Sequence, residues 1–269
     1  MAENTREAKN LRKAFGHMTV ATVIKSDAYN YLDACVRAKR PEKGNKEIAL
    51  MRLILEYGVR TGMIVSNPFD GVTKLSTIKT QRLVSDAELD LAVRVGRRLG
   101  SSRLIVALAL KTAWLCLRRS VEVRAFTRDQ IKPDGIEWEA AKRQGGQAVR
   151  RGLIEWSPEL RKTVDEALAI PRNKLAGSWY VFGNLQGQKY TKGGWKKTLS
   201  TLMAECVAQA EAEKVAFLPF SLQDCRPKGV TDKLANKDLD VMDATMHTSE
   251  KMIAAIYDRR RVRVAKPAA

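Results

Sequence analysis

From Thr19 onward Val20, Val23, Ile24, Ala28, Tyr31, Leu32 and Cys35 recur at intervals of three and four residues, which predicts one apolar face of an amphipathic helix that stops before Pro41. A second helical pattern runs from about Asn45 to Thr61, with Ile48, Met51, Ile54, Leu55 and Val59 inward and Gly62 as its stop. Asn67-Pro68-Phe69-Asp70-Gly71 then reads as a turn. Residues 1–16 are charged and carry no sustained apolar stripe, so they read as a flexible or marginally helical lead-in.

The polar, basic run Ser76 to Arg82 has no periodicity. Ser85-Asp86-Ala87-Glu88 after it has the spacing of a capping box and opens a new helix. A buried helix over about 102–117 and a helical turn holding Arg119 and Glu122 follow. Gln130-Ile131, Ile136 to Trp138, Ala148 to Trp156 and Trp179 to Phe182 read as short strands, with Gly145-Gly146 as a hairpin turn. Ser157-Pro158-Glu159 starts a helix, a long helix spans about 194–212, and three more carry Arg226, lead to His247 and contain Met252 to Tyr257. The pattern predicts a mainly α chain with a small antiparallel β-sheet, in two domains: an all-helical one over 17–75 and an α+β one over 83–262, with a linker at 76–82 and a tail at 263–269.

Charge narrows the partner. The 269 residues hold 48 Lys plus Arg against 30 Asp plus Glu, a formal net charge of +18. Such a surface attracts phosphate and releases its counterions, which puts DNA or RNA first and an anionic membrane second. The most apolar run, Leu104 to Leu117, is interrupted by Lys111 and Thr112 and falls short of the roughly 20 residues that cross a bilayer. The N-terminus lacks the apolar core of a secretion signal, so an intracellular protein is expected. Cys35, Cys116, Cys206 and Cys225 are scattered and the only histidines are His17 and His247, which argues against structural zinc and for reduced, buried thiols.

The candidate chemistry lies in four short stretches: Arg118-Arg119-Ser120-Val121-Glu122, Gln223-Asp224-Cys225-Arg226-Pro227-Lys228, His247-Thr248-Ser249, and Tyr257-Asp258-Arg259-Arg260-Arg261. In this order and spacing they resemble the motifs of the tyrosine recombinases, or phage integrases, and Asn67-Pro68-Phe69 is similar to the end of that family's helical core-binding domain. The resemblance covers most of the chain, without the arm-binding domain some integrases carry. It implies a core-binding domain and a catalytic domain closing as a C-shaped clamp on double-stranded DNA, assembly as a homo-tetramer on two DNA sites from a chain that can be monomeric without DNA, and work on DNA in the cytoplasm of a bacterial or phage-infected cell.

It also implies roles. Arg119 and Arg226 grip the scissile phosphate through fork-shaped hydrogen bonds and neutralise its transition state. Tyr257 is the nucleophile that forms a 3′-phosphotyrosyl link, and His247 is its proton-transfer or hydrogen-bonding partner. Lys142, beside the hairpin turn, gives the proton to the leaving 5′-oxygen. Glu122 orients Arg119, and Gln223 stands where the family often has histidine or lysine. Arg143, Arg150, Arg151 and Lys228 are candidate DNA contacts. No metal and no cofactor is called for, since the covalent link keeps the energy of the phosphodiester.

Three positions depart from the pattern. Gln223 can hydrogen-bond a phosphate oxygen but cannot shuttle a proton; Met246 replaces the glycine that commonly precedes the third-motif histidine; and the interval from His247 to Tyr257 is one residue longer than usual. A DNA-relaxing or resolving relative, and a DNA-binding protein without catalysis, therefore stay open beside the recombinase.

Overall fold

The computed structural model describes residues 2–77, 82–140, 150–172, 180–246 and 249–260. The chain divides into two compact units, Met1–Thr80 and Gln81–Ala269.

In the first unit, α1 (Ala2–Phe15), α2 (Lys25–Arg37) and α3 (Pro41–Arg60) close around one small core. Of the two readings of residues 1–16, flexible or marginally helical, the helical one holds, and the correction is that this helix packs on α3 and belongs to the first unit's core. Leu11 and Phe15, four residues apart, are buried, and Phe15 meets the rings of Tyr31 and Phe69 at 5.4 and 5.9 Å. Two core residues in an otherwise charged helix are too few to register as a stripe. The helix expected from Thr19 begins only at Lys25, because Val20–Thr22 makes a single 3-10 turn and Asp27 takes the Ile24 N–H at 2.9 Å. Val20 and Ile24 are accordingly exposed.

On α3 the inward face differs from the expected one. Ile48 and Leu55 are buried, Ile54 is exposed, and the face is completed by Glu47, only 1% exposed. Arg40 grips Glu47 with two bonds of 3.0 and 2.7 Å, Tyr31 donates to it at 2.8 Å and Asn10 of α1 at 2.7 Å. Burial pushes the Glu47 carboxyl up, but these hydrogen bonds outweigh it and hold the group below its usual range. A depressed folded value means the stabilisation is present above the unfolded pKa, about 4.3, and is lost as pH falls through the folded one. Glu47→Gln should cost about 2 kcal/mol at neutral pH, with the deficit against the wild type shrinking in acid, as urea unfolding at two pH values will show. A deficit unchanged with pH would contradict this role.

The second unit is built on α5 (Ser101–Leu115), in which every residue from Ile105 to Leu110 is fully buried. Around it pack α4 (Asp86–Leu99), α7 (Pro158–Ala169), α8 (Lys192–Glu213) and α9 (Leu222–Ala235). The capping box at the start of α4 is present: the Glu88 N–H bonds Ser85 Oγ at 3.2 Å, and Glu88 Oε2 accepts from the Ser85 N–H at 2.9 Å. α9 lies close against the end of α5 because residue 229 is glycine; a Cβ there would sit 2.4 Å from the Trp114 carbonyl oxygen.

Between α6 (Ser120–Val123) and α7, β1 (Gly135–Glu139) and β2 (Arg151–Glu155) form a two-stranded antiparallel sheet, with Trp138 opposite Gly152 and Glu139 opposite Arg151. The fold is thus mainly helical with a small antiparallel sheet, as the pattern predicts. Over their described residues, two of the expected strands are not strands. Arg128–Gln130 forms a 3-10 turn and Ile131 makes one bridge, to Ile136. Tyr180 makes one bridge, to Thr127, and Arg172 takes the Tyr180 and Val181 carbonyls that a strand partner would need, at 3.0 and 2.7 Å. Trp179 and the Gly145-Gly146 turn lie outside the described residues. Two short helices, α10 (Val241–Thr245) and α11 (Glu250–Ile256), complete the unit. No helix among the described residues is long and apolar enough to cross a membrane.

Candidate active site

α5 delivers its C-terminal end to the site. Leu117 takes a left-handed backbone, φ 54°, which turns the chain so that Arg119 becomes the N-cap of α6. Glu122, in the first turn of α6, accepts from the Arg119 backbone N–H at 2.8 Å and from its Nη1 at 3.2 Å. These are the two contacts that three-residue spacing at a helix start makes available. Glu122 is itself buried, and Arg226 on α9 also pairs with it, Nη1 to Oε2 at 3.8 Å. One carboxylate therefore holds two guanidiniums whose charges repel, and the cluster stays net cationic.

Arg226 lies near the start of α9, which opens with Asp224 accepting from the Ser221 N–H at 2.9 Å. Its side chain is 3% exposed; Nη2 donates to the Thr245 carbonyl at 3.0 Å, and Cζ stands 5.1 Å from the centre of the Tyr257 ring. Burial pushes this guanidinium below its ordinary value, and Arg119 adds to that; Tyr257 and Glu122 act in the opposite direction. Tyr257 is half-buried at the end of α11, packed against the small cluster of Leu117, Val230, Val241, Ala244 and Ile253. Arg119, Glu122, Arg226 and Tyr257, spread over 139 positions of sequence, thus come together at the junction of α6, α9 and α11.

The other candidates fall differently. Lys142, Arg143 and His247 lie outside the described residues. Gln223 is exposed in the first turn of α9, three residues before Arg226 and near the same helix face. Arg150 is exposed; Arg151 is also largely exposed and pairs across the sheet with Glu139 at 3.2 Å and more loosely with Glu137 at 3.8 Å. Lys228 is a correction. It is 2% exposed, with its ammonium between Asp86 at 2.5 Å and Asp232 at 2.9 Å and 5.1 Å from the Trp114 ring. Burial lowers its pKa, but the two carboxylates outweigh that and raise it. This cation is satisfied inside the fold by two carboxylates and is not the surface contact expected of it.

The basic run after Tyr257 is also structural in its described part. Arg259 donates to the Arg82 carbonyl, and Arg260 pairs with Asp258 at 2.9 Å and donates to the Leu234 carbonyl at 2.9 Å. The cation beside the tyrosine ring is Arg226 instead.

One residue that sequence reasoning passed over is Arg118. It is fully buried, donating to the Cys116 carbonyl at 3.0 Å and the Ala244 carbonyl at 2.5 Å, and 5.6 Å from the Trp138 ring. Burial pushes its guanidinium down to about 10, still well above neutral pH. Arg118 and Arg226 thus bond consecutive carbonyls, Ala244 and Thr245, at the C-terminal end of α10, where cations are favoured. Next to them Met246 takes a left-handed conformation, φ 54° and ψ 33°. That conformation is one glycine adopts without cost and methionine only with strain, so the backbone here does not explain why Met246 stands at this position.

The flanking thiols offer no nucleophile. Cys116 and Cys225 are fully buried, and burial pushes the Cys116 thiol up to about 12 and the Cys225 thiol further in the same direction. Among the described residues no group of three or more His, Cys, Asp and Glu side chains is placed to hold a metal ion.

No protein-family model and no curated protein sequence matches the chain. Solved structures do. A lambda integrase fragment, residues 75–356 of that protein, crystallised as a dimer bound to a COC′ core site, superposes with a TM-score of 0.72 over 99% of this chain and 91% of its own, at 13% identity. A lambda integrase tetramer bound to a Holliday junction gives 0.73 over 99% of this chain and 74% of its own, at 11% identity. The Tn1549 transposon integrase with circular-intermediate DNA gives 0.71 over 93% and 87%, at 13% identity. The chain has their fold.

Proposed function

We propose that this chain, which has the tyrosine-recombinase fold, is a site-specific DNA recombinase or integrase that cuts and rejoins duplex DNA through a 3′-phosphotyrosyl intermediate. The observation that carries this reading is the Arg226 guanidinium, held on Glu122 together with Arg119 and standing 5.1 Å from the Tyr257 ring. In the proposed step the Tyr257 phenolic oxygen attacks phosphorus, the bond to the 5′-oxygen breaks, and that oxygen takes a proton from Lys142. The phenol's own proton leaves by way of His247. Arg119 and Arg226 stabilise the charge on the non-bridging oxygens, where aligned fork donors are strongest. Rejoining reverses these moves, so the reaction uses neither ATP nor a metal.

The structural neighbours' DNA complexes support duplex DNA as the partner, and the lambda integrase tetramer on a Holliday junction supports a tetramer on two sites. The second reading, a protein that binds DNA without cutting it, is favoured by Gln223, whose exposed carboxamide cannot carry a proton.

The test uses a DNA site established by binding and nicked just past the cleavage position, so that a cut strand is trapped. The wild type is expected to form a denaturant-resistant protein–DNA adduct that survives EDTA and is absent from Tyr257→Phe. No adduct on such a site favours the binding-only reading, and an adduct abolished by EDTA contradicts the metal-free mechanism.

A further inference from the structure

We infer that Thr231 is a positioning residue for Tyr257, holding the main chain of the nucleophile in register with Arg226; the inference rests on the function proposed above. Thr231 is 4% exposed on α9, five residues beyond Arg226 and so about 7.5 Å further along the same helix. Its hydroxyl donates to the Tyr257 carbonyl at 3.0 Å and accepts from the Arg259 N–H at 3.1 Å. One side chain therefore clips the backbone on both sides of Asp258, and its donor and acceptor are both used.

The clip matters because the rest of α11 is lightly held. Of its seven residues only Ile253 is buried, while Met252 and Ile256 face outward at 45% and 49% exposure. Stacking against Arg226 fixes the tyrosine ring only if the chain that carries it is fixed. Thr231 and Arg226 sit on one helix, so the hydroxyl ties the nucleophile's main chain to the element that carries the guanidinium that would hold the phosphate. A misplacement of about 1 Å at such a centre costs on the order of 100-fold in rate.

Thr231→Val keeps the volume and removes both hydrogen bonds. Thr231→Ser keeps the hydroxyl. With the nicked DNA at saturating concentration, Thr231→Val is expected to form adduct about 10- to 100-fold more slowly than the wild type at unchanged DNA affinity, and Thr231→Ser within about threefold of it. The Arg259 amide should exchange its hydrogen faster in the valine variant alone. Thr231→Ala, which cannot clash, repeats the test if the valine variant does not fold.

Adduct formation by the valine or alanine variant at the wild-type rate overturns the inference, as does equal slowing in valine and serine, which would place the effect in side-chain shape. A wild type that forms no adduct overturns the proposed function and this role with it, a result distinct from either.

Discussion

Arg226→Lys should lower the rate of covalent adduct formation by about 10³-fold while leaving DNA affinity nearly unchanged. The guanidinium is 3% exposed and spans three neighbours: the Thr245 carbonyl at 3.0 Å, Glu122 at 3.8 Å and the face of Tyr257 at 5.1 Å. A lysine ammonium is a point charge on a flexible stem and cannot face all three, nor offer a phosphate two parallel N–H groups. In the proposed complex affinity would be spread over many phosphate contacts, as a net charge of +18 favours, so the loss of one fork would appear in the rate. Adduct kinetics beside a gel-shift titration separate the two quantities. Cleavage within tenfold of the wild type would show that Arg226 does not hold the reacting phosphate.

Arg118→Ala should lower stability by about 3–5 kcal/mol, the larger effect of the two on folding. The side chain is fully buried, so its removal opens a cavity beside Trp138 and leaves the Cys116 and Ala244 carbonyls without their charged donor. Those carbonyls lie at the ends of α5 and α10, so the link between the Arg119 turn and the chain leading to His247 goes with it. Urea unfolding gives the stability directly. A loss below about 1 kcal/mol would mean that the desolvation of the buried guanidinium cancels its hydrogen bonds.

The elements legible in the sequence are those whose signal is local. The Ser85/Glu88 box, the Pro158 start of α7, the apolar run of α5 and the Arg119–Glu122 pair each need only a few neighbouring residues, and the structure has all of them. The resemblance added the meeting of Arg226 with Tyr257, which no periodicity reveals, and the structure has that too. Lys228 was misread because a lysine in a basic chain looks solvent-facing; its burial depends on Asp86, 142 positions upstream, and on Trp114. Glu47 drew no reading from the sequence, since the groups that compensate its buried carboxylate, Arg40, Tyr31 and Asn10, are not its immediate neighbours in the chain. Arg118 and Arg119 are adjacent and chemically identical, and the left-handed Leu117 before them accompanies a split in which one is buried and the other faces the site. The strand expected at Trp179 to Phe182 did not form as read over its described part, since Arg172 occupies the carbonyls at Tyr180 and Val181.

The central claim is that Tyr257 forms the bond to DNA. Trapped adduct can be digested with nuclease and protease and the peptides read by mass spectrometry. The account predicts a nucleotide remnant on the peptide containing Tyr257, joined through a 3′-phosphate to the tyrosine oxygen. A remnant on any other residue, or one joined through a 5′-phosphate, would contradict it.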